Sequence, residues 1–172
     1  MQIVIDGYNL IRQSPHWSRL DQQDLQAGRD ALVDALAAYK KVKPFPITVV
    51  FDARDALPGM PRRDRRKGIE LRYSQPGELA DTVIKRMAAR LRGKLMVVTS
   101  DGEIKAYAAA QGAATIDAVD FEARLTMARM VGLKGAVEDE ASSGWQPSTK
   151  KTGPSRRLPK QQRRMRHKIE KL

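Results

Sequence analysis

The sequence predicts an α/β protein in which helices cover both faces of a mainly parallel sheet. Short apolar runs rich in β-branched residues alternate with longer segments whose apolar residues recur at helical spacing. This alternation is typical of parallel strands connected by helices. Proline and glycine fall between the two kinds of segment, where they interrupt regular structure. The 172 residues are enough for one domain with its own core, followed by an appendage.

The first predicted strand is short and apolar on both faces, which suits a buried strand of a parallel sheet. Similar runs predict five strands in all, at residues 3–6, 47–52, 69–73, 95–99 and 113–116. Apolar residues three and four apart predict helices between them, at residues 29–42, 78–91, 103–113 and 120–131.

Two segments do not follow this alternation. Residues 53–68 contain proline, glycine and many arginines and are predicted to form a basic loop. From about residue 137 the apolar periodicity fades, so we expect one folded domain over residues 1–136 and a flexible basic tail over residues 137–172.

The charge of the chain favours a polyanionic partner. Lys and Arg number 32 against 20 Asp and Glu, a net charge of +12, and +9 of it lies in residues 150–172. Nucleic acid is the commonest partner for such a distribution. With no cysteine and two histidines, disulfides are excluded and zinc sites nearly so. We expect a cytoplasmic protein, because no basic-then-apolar leader and no apolar stretch of membrane-spanning length occurs.

Acidic residues follow three of the predicted strands. Asp6, Asp52 and Asp101 come at or just after strand ends, and Asp81 lies in the first turn of the helix over residues 78–91. The carboxyl ends of parallel strands meet at one edge, so these carboxylates are expected to converge and repel one another unless a cation lies among them. Oxygen ligands of this kind suit Mg²⁺ or Mn²⁺. The chain has neither of the common glycine-rich phosphate-binding motifs.

Simpler interpretations of these side chains remain open. An aspartate at a strand end can cap the following helix. Ser100 and Glu103 have the spacing of a capping box, which favours Glu103 as a cap over a metal ligand. Asn9 either caps a turn or orients a metal-bound water, and Ser100 is a second candidate for such an orienting role.

The motifs "IVIDGYNLI", "ITVVFDA", "ADTVIK" and "VVTSD", the last followed by "QGA", resemble the YacP-like NYN domain family, a bacterial branch of the PIN-like nucleases. The resemblance covers about residues 1–135 and leaves the basic tail outside. It implies a PIN-like three-layer α/β/α fold and divalent-metal-dependent endoribonuclease activity. It also implies metal-site acids at the four aspartates named above, with Asn9 beside the first. Members often carry an acid four residues after the helix aspartate, where this chain has Lys85.

These observations together predict an endoribonuclease. Asp6, Asp81 and Asp101 are expected to hold the Mg²⁺ or Mn²⁺ that activates water for in-line attack on an RNA phosphodiester, with Asp52 completing the site. The expected partner is single-stranded or ribosome-associated RNA. The residues expected to contact it are Arg54, Arg62, Arg63, Arg65, Arg66, Lys67, Lys150, Lys151, Arg156, Arg157, Arg163, Arg164 and Arg166. The alternatives are a catalytically inactive PIN-like protein that binds RNA or the ribosome, and a small-molecule phosphatase.

Overall fold

A computed structural model of the chain describes residues 1–53, 61–135 and 160–172. The strands are β1 (Gln2–Asp6), β2 (Ile47–Phe51), β3 (Arg63–Arg66), β4 (Ile69–Tyr73), β5 (Leu95–Val98) and β6 (Ala114–Ile116). Within the described ranges they form one sheet in the order β3-β4-β2-β1-β5-β6. Each pairing is parallel except that of β3 with β4. The predicted mainly parallel α/β architecture is confirmed.

Helices cover both faces of this sheet. They are α1 (Gly7–Gln13), α2 (Pro15–Gln23), α3 (Leu25–Val42), α4 (Ala80–Leu91), α5 (Gly102–Ala110), α6 (Ala118–Gly135) and α7 (Lys160–Glu170). Ile3 and Ile5 of β1 face the core under α1, α3 and α6, whereas Val4 faces the core under α4 and α5, as the two-residue period of a strand requires. Within the described ranges, none of the helices combines the length and the apolar character needed to cross a membrane.

The prediction of a loop is wrong for residues 63–66, which form β3 and pair antiparallel with β4. The connecting turn places Lys67 and Gly68 at φ values of 49° and 79°, and positive φ at both central residues is the property of a tight hairpin turn. The sequence of β3 is Arg-Asp-Arg-Arg, so it has no apolar face. Edge strands often carry such charges, and hydrophobic patterning does not detect them.

The prediction of a flexible tail is wrong for residues 160–172. Met165 and Ile169 of α7 pack against the core, and Leu172 is 5% exposed within it. The Tyr39 hydroxyl donates a 2.7 Å hydrogen bond to the carbonyl of Leu172, and burial raises the pKa of that hydroxyl to about 12. Residues 136–159 lie outside the described residues, so the division of the chain at residue 136 stays a prediction.

Gly7 allows α1 to start directly against β2. A Cβ atom at Gly7 would lie 2.3 Å from Cε1 of Phe51, whose ring is fully buried between Tyr8 and Tyr73. We therefore expect Gly7→Ala to lower the free energy of unfolding by about 1–3 kcal/mol, the usual cost of overpacking.

Urea unfolding measures this effect, with Gly102→Ala as the matched control. Gly102 also opens a helix after a strand-end aspartate, but a Cβ there would meet nothing within 4 Å. Equal stability of the two variants would mean that the Phe51 ring moves aside without cost.

Candidate active site

The four predicted acids lie at the carboxyl edge of the three central strands. Asp6 is the last residue of β1, Asp52 follows β2, and Asp101 lies between β5 and α5. Asp81 is in the first turn of α4. The charges of Asp81 and Asp52 contribute to raising the pKa of Asp6, and the charge of Asp101 contributes to raising the pKa of Asp81. The fold therefore brings the four carboxylates into one electrostatic cluster.

Asp6 is the most perturbed acid of this cluster. Its Oδ1 accepts the backbone N–H of Asn9 at 3.2 Å, and its Oδ2 accepts the hydroxyl of the buried Thr99 at 3.2 Å. Burial raises the pKa of Asp6 to about 6 against the effect of these two hydrogen bonds, and the charges of Asp81 and Asp52 add to the rise. A negative charge at Asp6 is therefore costly without a cation beside it.

The other acids share this environment. Burial raises the pKa of Asp81, and the nearby charge of Asp101 contributes to the shift. Asp52 accepts the backbone N–H of Ala80 at 2.7 Å, so it caps α4 from another strand, while Leu79 at the start of that helix offers no side-chain cap.

The prediction that strand-end aspartates cap helices is confirmed for three of the acids. Asp6 caps α1, Asp52 caps α4, and Asp101 caps α5 by accepting the N–H of Ile104 at 2.9 Å. Each cap uses Oδ1 of the aspartate, and the helix N-termini that they hold carry partial positive charge. Capping thus holds these three aspartates at the carboxyl edge of the sheet.

The chemistry of this cluster fits a hard divalent cation. All four candidate ligands are carboxylates, the oxygen ligands that Mg²⁺ and Mn²⁺ prefer. Burial raises the pKa values of Asp6 and Asp81, and the neighbouring carboxylates add to the rise. Among the described residues, however, no three His, Asp or Glu side chains are arranged to hold a metal ion together. A metal would therefore require the carboxylates to turn toward a common point.

Asn9 and Ser100 join two sides of the cluster. The backbone N–H of Ser100 donates to Oδ1 of Asn9 at 2.7 Å, which ties α1 to the connection between β5 and α5. The orienting roles expected for these two residues stay predictions. The Ser100 hydroxyl donates to Oδ1 of Asp117 at 2.6 Å. The predicted capping box is therefore wrong: Asp101 caps α5, and Glu103 pairs with Lys85 of α4.

Asp117 is a residue at this edge that the sequence analysis missed. It follows β6, as Asp6 and Asp52 end or follow their strands, so the same strand-end signal was present. Hydrogen bonds from Ser100 and Lys105 lower the pKa of Asp117, the Lys105 Nζ lying 3.0 Å from Oδ2. Asp117 therefore keeps its negative charge, which the nearby Lys105 balances. For Asp6, in contrast, burial raises the pKa.

The predicted RNA-contacting residues do not all lie beside the acids. Arg63 pairs with Arg72 near the carboxyl end of β4, whereas Arg66 pairs with Ile69 at its amino end. Arg66 lies 3.0 Å from Asp30 of α3. Lys67 pairs with Asp34 of α3. Arg66 and Lys67 therefore lie toward the amino end of β4 and beside α3, away from the acids.

The remaining basic candidates divide into two groups. Arg62, Arg163 and Arg166 are exposed, and Arg166 pairs with Glu170 at 3.3 Å. The second group lies outside the described residues: Arg54, Lys150, Lys151, Arg156 and Arg157. Arg164 belongs to α7, but its side chain is not described.

Comparisons with known proteins agree with this architecture. The family model of the YacP-like NYN domain matches residues 3–171, so the expected limit of the resemblance near residue 135 is wrong. The uncharacterised protein YacP of Bacillus subtilis is 28% identical over 102 residues, which span 58% of this chain and 59% of that protein.

Two crystal structures of Rae1 (YacP) from Bacillus subtilis are similar in fold. The structure of a tryptophan-to-leucine mutant has a TM-score of 0.65 and 26% identity, covering 81% of this chain and 87% of that one. A second structure has a TM-score of 0.69 and 22% identity, covering 80% of each chain.

Proposed function

Because the chain belongs to the YacP-like NYN domain family, we propose that it is a divalent-metal-dependent endoribonuclease that hydrolyses RNA phosphodiester bonds. NYN domains are generally nucleases. The observation that carries the proposal is the cluster of Asp6, Asp52, Asp81 and Asp101 at one sheet edge, where burial and mutual repulsion raise the pKa values of Asp6 and Asp81. Ionised carboxylates placed so close together destabilise the fold in the absence of a cation, but they can bind the metal ion of a metal-dependent hydrolase.

Asp6, Asp81 and Asp101 would hold Mg²⁺ or Mn²⁺, with Asp52 completing the site. The bound ion would supply an acidified water and neutralise charge on the scissile phosphate. Side chains of the protein hold the carboxylates that would bind this ion. The Thr99 hydroxyl holds one oxygen of Asp6, and the Asn9–Ser100 hydrogen bond holds α1 against the start of α5. The partial positive charges at the N-termini of α1, α4 and α5 stabilise the carboxylates that cap them.

The test is incubation of the purified protein with circular single-stranded RNA in Mg²⁺, in Mn²⁺ or in chelator. We expect cleavage only with a divalent cation, giving linear products with a 5′-phosphate and a 3′-hydroxyl. Cleavage of a circle separates an endonuclease from an exonuclease. Intact RNA under every condition, with binding retained, would favour the alternative of a catalytically inactive RNA-binding protein.

Lys85 is the observation that favours this alternative. It stands where the family often has an acid, and its Nζ pairs with Glu103 while its charge lowers the pKa of Asp81. The site therefore has one negative charge fewer and one positive charge more than an acid at this position would provide.

We expect Lys85→Glu to tighten Mn²⁺ binding severalfold, because the substitution replaces a repelling charge beside Asp81 with an attracting one. Isothermal titration with Mn²⁺ measures the affinity. Arg86→Glu is the matched control, since the Arg86 side chain is 64% exposed and pairs with Glu78 instead. If both variants gain affinity equally, the effect is one of net charge and Lys85 has no special position.

A further inference from the structure

The two faces of the hairpin β3–β4 differ in their surroundings. Asp64 and Arg66 are partly buried, and Arg66 donates to Asp30 of α3. Because neighbouring residues of a strand point to opposite faces, Arg63 and Arg65 lie on the other face, where both are exposed. We call this second face of the hairpin the arginine face; it is formed by Arg63, Arg65, Glu70 and Arg72.

The arginine face lies in register with the carboxylate cluster. Asp6 pairs with Val50, Val50 with Arg72, and Arg72 with Arg63. Cross-strand partners project from the same face of a sheet, so Asp6, Arg72 and Arg63 belong to one row on one face. Three strand spacings separate β1 from β3, which places the Arg63 backbone about 14 Å from that of Asp6. The arginine face therefore extends to the edge where cleavage is proposed.

The charges of the arginine face are not balanced. Arg63 lies directly opposite Arg72, an arrangement of like charges that destabilises a strand pair. Glu70 forms an ion pair with Arg72 at 2.7 Å and also lies opposite Arg65. The arginine face therefore has one carboxylate for the three guanidinium groups of Arg63, Arg65 and Arg72. Arg63, Arg65 and Glu70 line a depression of about 630 Å³ that extends to Lys40 and Gly68 at the amino ends of β2 and β4. A surface of this kind complements an anion with regularly spaced charges.

We infer that the arginine face binds the phosphates of single-stranded RNA and leads the strand to the carboxylate cluster. The inference rests on the proposed function for the identity of the polyanion. The carboxylate cluster repels an incoming anion, so contacts that attract the backbone have to lie to one side of it. Guanidinium groups bind phosphate oxygens in bidentate fashion. The exposed face of β3 carries two of these groups, those of Arg63 and Arg65.

The experiment measures binding of a fluorescein-labelled single-stranded RNA to the full chain in chelator, with RNA integrity checked on a gel. The variant Arg63→Gln/Arg65→Gln removes two charges from the arginine face. The matched control Arg66→Gln/Lys67→Gln removes two charges from adjacent positions that contact acids of α3. Melting temperatures of both variants confirm that the hairpin is retained, and Arg63→Lys/Arg65→Lys tests whether the charge alone is sufficient.

We expect the arginine-face variant to lose affinity about tenfold, and the slope of log K against log salt to fall by about 1.4, or about 0.7 for each lost phosphate contact. The control should bind nearly as the parent does. The lysine variant should recover only part of the loss, because lysine keeps the charge but not the bidentate contact. Unchanged affinity in the arginine-face variant, or an equal loss in the control, would overturn the inference. An acidic protein segment as the true occupant would give that first result.

The two proposals fail in different ways. If the parent does not cleave RNA with Mn²⁺ but the arginine-face variant still loses affinity, the proposed function is wrong and the RNA surface stands. If the parent cleaves RNA and the arginine-face variant binds and cleaves as well as the parent, the function stands and the inference is wrong.

Discussion

Replacing Asp6 with asparagine is expected to reduce metal-dependent RNA cleavage at least about a hundredfold, the usual loss when an electrostatic group is removed from a reacting centre. The fold should persist, because asparagine caps helices as well as aspartate does. Initial rates on labelled RNA with Mn²⁺ measure the loss. The matched control is Asp24→Asn, since Asp24 also caps a helix, accepting the N–H of Gln26 at 2.9 Å, but starts α3 and is exposed. Cleavage at the parental rate by Asp6→Asn would remove Asp6 from the proposed site.

The same variant has a second, independent readout in chelator. The pKa of Asp6 is raised from 3.8 to about 6 in the folded protein, so between these values the folded state binds more protons than the unfolded state. The free energy of unfolding should therefore fall as pH rises through this range, by about 3 kcal/mol in total, and stay lower above it. Asp6→Asn should remove this fall and be the more stable protein at pH 8. Parallel stability curves for the two proteins would show that the charge of Asp6 costs nothing.

Deleting residues 160–172 is expected to lower the free energy of unfolding by about 3 kcal/mol, or the melting temperature by about 6–12 °C. The deletion removes Leu172 from the core and strips the apolar contacts of Met165 and Ile169. It also leaves the buried Tyr39 hydroxyl without its acceptor, the Leu172 carbonyl. Differential scanning calorimetry of the parent and the truncated protein measures the change.

A variant that keeps the apolar face of α7 separates packing from charge. Arg163→Gln/Arg166→Gln removes two exposed charges and should leave the melting temperature unchanged while weakening RNA binding, if the basic residues of α7 contact phosphate as predicted. An unchanged melting temperature in the truncated protein would mean that α7 contributes no stability to the domain.

Local patterns were sufficient for the five strands β1, β2, β4, β5 and β6 and for the location of the acids. The runs that end at Asp6, Asp52 and Asp101 are apolar on both faces, and such runs are stable only within a covered parallel sheet. Their carboxyl ends then share one edge whatever the strand order. Asp117 could have been included on the same grounds, because it too follows an apolar run. The family motifs agreed with this assignment.

Other features depended on partners distant in the sequence. The strand β3 exists because β4 supplies its hydrogen bonds, and its charged residues carry no hydrophobic period. Met165, Ile169 and Leu172 have helical spacing in the sequence, but only the packed core identifies the domain itself as the partner of these side chains. Likewise the capping-box spacing of Ser100 and Glu103 was real, yet Asp117 and Lys85 bind those side chains in the fold.

The sequence by itself determined the α/β class, the parallel strands and the row of acids, because each follows from the local alternation of apolar and polar residues. Tertiary structure alone decided the strand order, the face on which Arg63 lies and the burial that raises the pKa of Asp6 to about 6. Pairing, desolvation and charge coupling are sums over atoms brought together by folding. No local pattern contains those sums, because the contributing residues lie far apart in the chain: Asp6 and Thr99 are 93 positions apart, and Tyr39 and Leu172 are 133 positions apart.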